Sequence, residues 1–228
     1  MKAVILADGD ASARASLDVA WPGWADGVRL VVAADGGARH ALDLGLTVDL
    51  WVGDGDSVDA EALSALEAAG VDLRRVAAAK DESDTELAVT AALERGATSI
   101  VVLGAFGGLR FDHSLANVGL LAMPGLAPGA MTLLDDATRV RLLGAPGPDG
   151  APVALELAGR PGDLVSLLPF GPGVEGVTTA GLEWPLRDEP LPAGPARGLS
   201  NVRVAEMASV SLRAGLLLVV ETPATLRR

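Results

Sequence analysis

The sequence contains no cysteine and only two histidines, His40 and His113. Without cysteine, the chain can have no disulfide framework, no thiolate metal site and no cysteine nucleophile. Two histidines also argue against a zinc site built from histidine alone. These absences exclude the disulfide-rich class of proteins and every site type that depends on thiolates.

Lysine is almost absent as well, because only Lys2 and Lys80 occur and every other basic residue is an arginine. The 30 acidic and 18 basic residues give a formal net charge of −12. A duplex-binding surface needs a basic stripe and none is visible, so we exclude nucleic acid as the main partner. The acidity favours a cationic substrate or serves solubility. Lys80 stands out because it lies inside an acidic stretch.

Long apolar runs are also missing, and no run reaches the length of a membrane span. The chain enters a strand-like run directly at Lys2, without the layout of a signal peptide. We therefore expect a cytoplasmic protein with no membrane partner. The 228 residues, half of them hydrophobic and 21% charged, are an ordinary globular composition for one large or two modest domains.

The first half of the chain alternates between strand-like and helical segments. Continuous apolar strands separated by helices are typical of a parallel sheet covered on both faces. We therefore predict an α/β domain over residues 1–123. The predicted strands are Lys2–Ala7, Val28–Ala34, Asp49–Val52, Leu73–Ala77 and Ser99–Leu103, and the predicted helices are Ala11–Ala20, Ala38–Leu44, Ala60–Ala69, Asp84–Arg95 and Asp112–Ala122.

The pattern changes near Pro124, where a proline- and glycine-rich loop cannot continue a helix. Regular short strands follow, and they predict an antiparallel β-sandwich over residues 131–228. The stretches 144–152 and 187–198 are predicted to be mobile loops. The predicted strands are Met131–Leu134, Arg139–Leu143, Val153–Leu157, Leu164–Leu168, Val174–Thr178, Val202–Ala205, Ser209–Leu212 and Leu216–Val220.

Aspartates recur where the strands of the first half end. The carboxyl ends of parallel strands meet at one edge of a sheet, and ligands bind at that edge. Several carboxylates there repel one another unless a cation joins them, and hard oxygen ligands suit Mg²⁺. Asp also makes turns and caps helices, but turns alone would scatter it over both edges. The pattern favours a metal–phosphate site formed by Asp8, Asp35, Asp54, Asp56, Asp81, Asp84 and Asp112.

The same edge carries groups suited to phosphates. The glycine pairs that begin at Gly36 and Gly107 allow backbone N–H groups to approach an anion. The predicted helix that begins at Asp84 carries a capping box and adds positive potential at its N-terminus. Lys80 and Arg110 are the natural phosphate cations, and arginine can bind two oxygens. Neither a P-loop motif nor a dinucleotide-binding glycine motif is present.

Taken in order, these motifs resemble those of the thiamine pyrophosphokinase family. That family has Asp-Gly-Gly-Ala after a strand, then Gly-Asp-Phe-Asp-Ser, Lys-Asp-x-Thr-Asp-x-Glu-x-Ala and Gly-Gly-Arg-x-Asp-His. Each motif is weak alone, but together and in this order over nearly the whole chain they are specific. The matching segments are Asp35–Ala38, Gly53–Ser57, Lys80–Ala88 and Gly107–Asn117, followed by Gly176–Leu186 and Gly198–Asn201, which look like the thiamine-side motifs.

The resemblance implies that the hydroxyl of thiamine attacks the β-phosphorus of ATP, so that a pyrophosphoryl group moves and AMP leaves. Such a reaction depends on positioning and charge neutralisation more than on covalent catalysis. The implied Mg²⁺ ligands are Asp54, Asp56 and Asp84. The implied catalytic residues are Asp54, Asp56, Asp81, Asp84, Arg110 and Asp112, and the implied nucleotide-binding residues are Asp35, Gly36, Lys80, Ser83, Arg110 and His113.

The resemblance also places thiamine on the β-sandwich domain and the active site between the two subunits of a homodimer. Trp184 would stack on the cationic thiazolium, because a tryptophan face is the best side-chain partner for such a cation. Ser200 and Asn201 would hydrogen-bond the aminopyrimidine. From the residues alone, a core position for Trp184 is the simpler interpretation, and His113 is more simply a capping or packing residue.

Three positions depart from the family pattern: Gly55 replaces a phenylalanine, Ser83 replaces a threonine, and Leu109 is an extra residue before Arg110. Ser83 keeps the hydroxyl, whereas Gly55 removes an apolar wall. Two other functions stay open at this point. One is a kinase or nucleotidyltransferase that uses ATP with a different acceptor, and the other is a thiamine or nucleotide sensor without turnover.

Overall fold

The computed structural model describes residues 1–145 and 151–224, and the chain divides into two units. Six parallel strands form the sheet of the first unit, residues 1–135. Their spatial order is β4-β3-β2-β1-β5-β6. The chain therefore builds outward from β1 on one side and then crosses to its other side. The strands are β1 Lys2–Leu6, β2 Val28–Ala34, β3 Leu50–Gly53, β4 Asp72–Arg75, β5 Ser99–Leu103 and β6 Met131–Leu134.

The helices of this unit are α1 Arg14–Ala20, α2 Ala60–Ala68, α3 Asp84–Glu94 and α4 Phe111–Leu120, with a 3-10 helix at Asp35–His40. The α-helix predicted over 38–44 is wrong, because the chain instead turns tightly at the end of β2. Gly37 lies in this turn, and a Cβ there would collide with the backbone oxygen of Leu6. The turn can therefore pack directly on β1.

The central strands carry the core of the first unit. The last four residues of β1 have no solvent exposure, and Trp51 on β3 is also fully buried. The indole N–H of Trp51 donates a hydrogen bond of 3.0 Å to the backbone oxygen of Asp35. The core thereby supports the residue at the end of β2. The predicted parallel α/β architecture is confirmed.

The second unit, as far as it is described, contains two antiparallel sheets around a shared apolar core. One sheet has the order β7-β14-β9-β12 and the other β8-β13-β10-β11. This confirms the predicted antiparallel fold class. The strands are β7 Arg139–Ala145, β8 Val153–Ala158, β9 Leu164–Pro169, β10 Gly173–Ala180, β11 Glu189–Pro192, β12 Asn201–Val202, β13 Met207–Leu212 and β14 Gly215–Thr222.

Some segments differ from the sequence-based prediction. Met131–Leu134, which we predicted in the sandwich, instead pairs parallel to β5 as β6. The predicted mobile loop 187–198 contains the strand β11. Of the predicted loop 144–152, residues 146–150 lie outside the described part of the chain. Within residues 1–145 and 151–224, none of the helices has the length and apolar character that a membrane crossing requires.

One buried carboxylate in the second unit is surrounded by arginines. Glu221, on β14, is 1% exposed and receives hydrogen bonds from three arginines. Arg139 donates twice at 2.7 Å, Arg141 donates at 2.7 Å and Arg203 donates at 2.9 Å. Arg139 and Arg203 also donate to carbonyls of β8, so the cluster ties the two sheets together.

Candidate active site

Asp35 is the innermost carboxylate of the candidate site. It follows β2 directly, has a left-handed φ of 43° and is only 3% exposed. Its carboxylate accepts hydrogen bonds from the backbone N–H groups of Gly55 at 3.2 Å and Ser57 at 3.3 Å. Burial raises the pKa of Asp35, and the negative charge of Asp84 raises it further. Asp35 therefore links the end of β2 to the loop that follows β3.

Asp54 and Asp56 bring two more carboxylates to the same place. Oxygens of Asp35, Asp54 and Asp56 lie within 4.8 Å of one another. The Asp56 N–H donates to Asp54 at 3.0 Å, and this bond, together with Lys80, lowers the pKa of Asp54 against the opposing effect of burial. Carboxylate oxygens are hard donors, and Mg²⁺ usually binds through one or two of them together with substrate phosphates.

Lys80 connects the loop that follows β3 with the start of α3. Its ammonium group donates to Asp84 at 2.8 Å and to Asp54 at 3.3 Å, and its side chain is only 13% exposed. Burial lowers the pKa of Lys80, but the two carboxylates outweigh burial and raise it. Lys80 therefore stays charged. Of the three implied metal ligands, the structure brings Asp54 and Asp56 together, and Asp35 joins them. Asp84, the third implied ligand, instead pairs with Lys80.

The N-terminus of α3 is capped as its sequence predicts. The Ser83 hydroxyl accepts a hydrogen bond of 3.1 Å from the Glu86 N–H. Asp81 lies just before this cap and is exposed. Because the cap uses the Ser83 oxygen as an acceptor, the hydroxyl proton can still be donated to an anion in front of the helix.

The loops after β1 and β2 are joined by a residue that our sequence analysis missed. Arg39 forms an ion pair with Asp8 and donates to the backbone oxygens of Asp8 at 2.6 Å and Gly36 at 3.0 Å. A Cβ at Gly36 would collide with the Asp8 carboxylate, so a larger residue there would displace the Asp8 side chain. The sequence indicated Asp8, which follows β1, but no motif in it points to the partner Arg39.

A pocket of about 390 Å³ opens beside Asp35, between the 3-10 helix and α2. Apolar side chains of α2 and of the segment before it form much of its wall. Neither the pocket nor its apolar character was predicted from the sequence. Its lining residues are Gly36, Ala38, Arg39, Ser57, Val58, Asp59, Ala62, Ala65 and Leu66.

Arg110 and Asp112, for which the resemblance implied separate roles, bind each other at the start of α4. The guanidinium donates to the two carboxylate oxygens at 2.9 and 2.5 Å. The hydrogen bond from Arg110 lowers the pKa of Asp112 to about 2. Both side chains are exposed, as is His113 in the same turn. The pair therefore presents its charges to solvent.

The second unit contains a pocket of about 290 Å³ beside Trp184. Trp184 is 58% exposed, so the alternative that it is a core residue is wrong. Its neighbour Asn201 is buried and forms a reciprocal pair with the Trp184 backbone, with an N–H to Oδ1 distance of 3.1 Å and an Nδ2 to O distance of 2.7 Å. Ser200 is exposed, with a left-handed φ of 58°.

These contacts change the interpretation of the predicted thiamine-side residues. The Asn201 Oδ1 also accepts from the Val202 N–H at 2.9 Å, so its side-chain amide is committed to the local backbone. Asn201 therefore holds the Trp184 segment in place. Ser200, whose own N–H donates to the Ser166 hydroxyl at 2.9 Å, leaves its side chain at the surface next to the pocket.

Two family models match the chain in order. Residues 24–130 match the family model for the thiamin pyrophosphokinase catalytic domain, and residues 153–217 match the model for the thiamin pyrophosphokinase vitamin B1 binding domain. The thiamine pyrophosphokinase of Bacillus subtilis is 26% identical over 200 residues, which cover 88% of this chain and 90% of that protein.

Solved structures show the same fold. The crystal structure of thiamine pyrophosphokinase from Bacillus subtilis superimposes with a TM-score of 0.81 at 23% identity, covering 98% of this chain and 99% of the other. A thiamin pyrophosphokinase family protein from Enterococcus faecalis gives a TM-score of 0.80 at 25% identity, covering 97% and 99%. With both domain models matched in order along most of its length, the chain belongs to the thiamine pyrophosphokinase family.

Proposed function

We propose that this protein transfers the pyrophosphoryl group of ATP to the hydroxyl of thiamine, giving thiamine diphosphate and AMP. The observation that carries the proposal is the meeting of Asp35, Asp54 and Asp56 at one sheet edge, with Lys80 joining Asp54 to Asp84. Membership of the family supports the same reaction. We also propose that the first unit binds ATP and Mg²⁺ and that the second binds thiamine.

The cluster of Asp35, Asp54 and Asp56 fits Mg²⁺, because it offers several hard oxygen donors close together and Asp35 is buried. Asp54 and Asp56 are the proposed ligands. For the third ligand, the geometry favours Asp35, whereas the family resemblance favours Asp84. When bound, Mg²⁺ would neutralise phosphate charge and orient the phosphates for transfer.

The residues of this chain that face the phosphates act by charge and by hydrogen bonding. Lys80 stays charged beside Asp54 and Asp84. Ser83 has a hydroxyl proton to donate at the positive end of α3. Arg110 can bind two phosphate oxygens once it leaves Asp112. We propose that Asp112 keeps Arg110 in place until ATP binds and that Asp81 adjusts the charge around Lys80.

The pocket beside Asp35 suits the base of the nucleotide. Its volume of about 390 Å³ accommodates a flat ring system, and apolar side chains such as Val58 and Leu66 would contact the faces of that ring. Ser57, another lining residue, donates its backbone N–H to the Asp35 carboxylate, so the pocket adjoins the clustered aspartates. This arrangement would leave the triphosphate directed toward the carboxylates.

On the second unit, the exposed ring of Trp184 is the proposed platform for thiamine. A cationic thiazolium over the indole face would gain a cation–π contact, and the adjoining pocket of about 290 Å³ would receive the rest of the molecule. We propose that Asn201 supports this platform through the Trp184 backbone and that Ser200 hydrogen-bonds the ligand. His113 is proposed only as a residue close to the nucleotide.

The test is incubation of the protein with ATP, Mg²⁺ and thiamine, followed by chromatography of the products. The proposal expects AMP and thiamine diphosphate in equal amounts. ADP with a monophosphorylated acceptor would indicate an ordinary kinase, and release of pyrophosphate would indicate a nucleotidyltransferase. Binding of both ligands without any product would indicate a sensor.

We further propose that the protein acts as a homodimer, as the family resemblance implies, and that it does so in the cytoplasm. Light scattering at working concentration checks the first part, and a monomer mass would contradict it. Fractionation of cells that express the protein checks the second part. If the homodimer completes the site, dilution below its dissociation constant should lower the specific activity.

A further inference from the structure

Asp10 lies outside the part of the chain that matches the catalytic family model, residues 24–130. It follows β1, and β1 has β2 on one side and β5 on the other. The strand order therefore reverses at β1, and ligands of open α/β sheets bind beyond the carboxyl ends of the strands at such a point. The surroundings of Asp10 consequently bear on the candidate active site.

The backbone of Asp10 is fastened to the segment after β5. The Ala7 N–H donates to the Leu103 oxygen at 2.8 Å, Gly9 to Gly104 at 2.9 Å and Asp10 to Phe106 at 2.8 Å. These bonds continue the pairing of β1 with β5 past the end of both strands. A Cβ at Gly9 would collide with two of the carbonyls, so glycine is required for this close approach.

The Asp10 side chain then holds the glycine pair that leads into α4. Its Oδ2 accepts a hydrogen bond of 3.0 Å from the Gly108 N–H. Gly107 and Gly108 both have left-handed φ values, 79° and 71°, and a Cβ at Gly107 would collide with the Asp10 carboxylate. Glycine adopts this conformation at little cost, but it also leaves the loop flexible unless another group holds it.

The hydrogen bond to Gly108 matters because Gly108 is close to Arg110 along the chain. Arg110 lies two residues further on, and α4 begins at Phe111. At the other end of the loop, the Asn117 amide donates to the Ala105 oxygen at 2.8 Å. The loop is thus held at Ala105 by a residue of α4 and at Gly108 by Asp10. Compared with the family motif, it also contains one extra residue, Leu109.

We propose that Asp10 is a positioning residue that holds the longer glycine loop so that Arg110 faces the phosphates of ATP. This inference rests on the proposed function. Asp10 acts as a hydrogen-bond acceptor for Gly108 and reaches the phosphates only through Arg110. An asparagine keeps a side-chain oxygen acceptor, whereas an alanine does not. The two substitutions therefore separate the hydrogen bond from the charge.

The experiment measures MgATP affinity by calorimetry for the full-length protein and for the variants D10A, D10N, R110A and D10A/R110A. We expect D10A to weaken MgATP binding about tenfold, the scale of one lost hydrogen bond to a charged group. D10N should stay within about twofold of the native protein. In the R110A background, D10A should add less than about twofold, because it acts through Arg110. Thiamine affinity and the melting temperature should change little in D10A.

Each other outcome overturns the proposal. If D10N is as weak as D10A, the charge matters and not the acceptor. If D10A and R110A add fully, Asp10 does not act through Arg110. If D10A melts far lower and loses both ligands, or if it binds MgATP like the native protein, its role is structural or absent. Product analysis of the native protein tests the proposed function separately, since MgATP binding does not depend on the acceptor.

Discussion

Lys80 is the residue on which the charge balance of the acidic edge depends. It is the cation that bonds both Asp54 and Asp84, and its side chain is only 13% exposed. Asp35 and Asp56 are left without such a bond to Lys80 and lie close to Asp54. The carboxylates therefore stay mutually repulsive, which costs stability but prepares the edge for a cation.

The first prediction concerns these carboxylates. Asp56→Asn should lower turnover by about 10²-fold or more, which is the scale seen when one preorganised electrostatic group is lost. Folding should survive, because the substitution removes repulsion. The measurement is a rate assay over a range of Mg²⁺ concentrations, with Asp43→Asn, an exposed aspartate of the same unit, as the control. Near-full turnover of the Asp56 variant at saturating Mg²⁺ would contradict its role as a ligand.

The same titration distinguishes the two candidates for the third ligand. If the geometry is the better guide, Asp35→Asn raises the Mg²⁺ concentration needed for half-maximal rate. Asp84→Asn should then act mainly on the Michaelis constant for ATP, because it loosens Lys80. The opposite pattern would make Asp84 the ligand, as the family resemblance implies.

Trp184 carries the second prediction. Because its ring is 58% exposed, Trp184→Ala should cost less than about 1 kcal/mol of stability. A cation–π contact of ~0.5–2 kcal/mol and the lost ring contact should weaken thiamine binding roughly tenfold and leave ATP binding nearly intact. Calorimetric titrations with each ligand and a melting curve measure these effects.

Trp51 provides the matched control for this measurement, because it is a fully buried tryptophan. Trp51→Ala should lower the free energy of unfolding by ~3–5 kcal/mol and weaken both ligands together. If Trp184→Ala behaves like Trp51→Ala, the exposed ring is not the thiamine platform and the thiamine pocket must lie elsewhere.

At the scale of elements, α3 shows how one residue serves both the fold and the site. Ser83 caps the helix by accepting from the Glu86 N–H, and the same hydroxyl lies at the positive end of the helix where phosphates are proposed to bind. Lys80, four residues before Asp84, forms an ion pair with that first residue of the helix. The start of α3 therefore joins helix stability to anion binding.

The third prediction separates these two roles of Ser83. Ser83→Asp keeps a good N-cap but adds a negative charge, so it should preserve stability and weaken ATP binding. Ser83→Ala loses the cap and should cost ~1 kcal/mol of stability. Ser83→Thr, the residue of the family motif, should be close to neutral in both. The measurements are urea unfolding and ATP titration, and equal ATP affinity for the Asp and native proteins would remove Ser83 from the phosphate site.

Most elements of the first unit could be predicted because their apolar strands and helix caps are local features of the sequence. The strand β6 was placed in the other unit, since its neighbour is decided by tertiary pairing with β5 and not by its four residues. β11 was missed because it contains two prolines, which a strand tolerates at the edge of a sheet, where β11 lies.

The candidate site shows the same limit. Strand ends and Asp-Gly runs indicated Asp35, Asp54, Asp56 and Lys80, because position along the chain brings them to one edge. The pairing of Arg110 with Asp112 and the commitment of Asn201 to the Trp184 backbone could not be predicted. They depend on side-chain geometry over a few ångströms, which composition and spacing do not specify.

At the scale of the whole molecule, the distribution of charge is uneven. The chain carries a formal net charge of −12, yet the interior of the second unit holds three arginines around one glutamate. This cluster joins the two sheets of that unit through Glu221 on β14 and carbonyls of β8. The stability of the unit should therefore depend on whether Glu221 is ionised.

The last prediction follows from the pKa of Glu221. Burial raises this pKa, but the hydrogen bonds and charges of Arg139 and Arg141 outweigh burial and hold it below its ordinary value of 4.5. A carboxylate whose pKa is lower in the folded state than in the unfolded state stabilises the fold above the unfolded value. That stabilisation is lost as the pH falls below about 4.5 and through the folded pKa. Glu221→Gln should cost ~3–5 kcal/mol at neutral pH, because it leaves the buried Arg203 and the partly buried Arg139 and Arg141 without their counter-charge.

The variant should also lose part of the acid dependence of stability, since it has no carboxylate to protonate at this position. Urea unfolding from pH 7 down to pH 3 at low protein concentration measures both effects and limits aggregation near the pI of about 4.5. Glu206→Gln, which changes an exposed glutamate of the same unit, is the control and should shift stability by less than about 0.5 kcal/mol. If Glu221→Gln and the native protein lose stability in parallel as the pH falls, the acid sensitivity comes from other carboxylates and the cluster is not the element that holds the two sheets together.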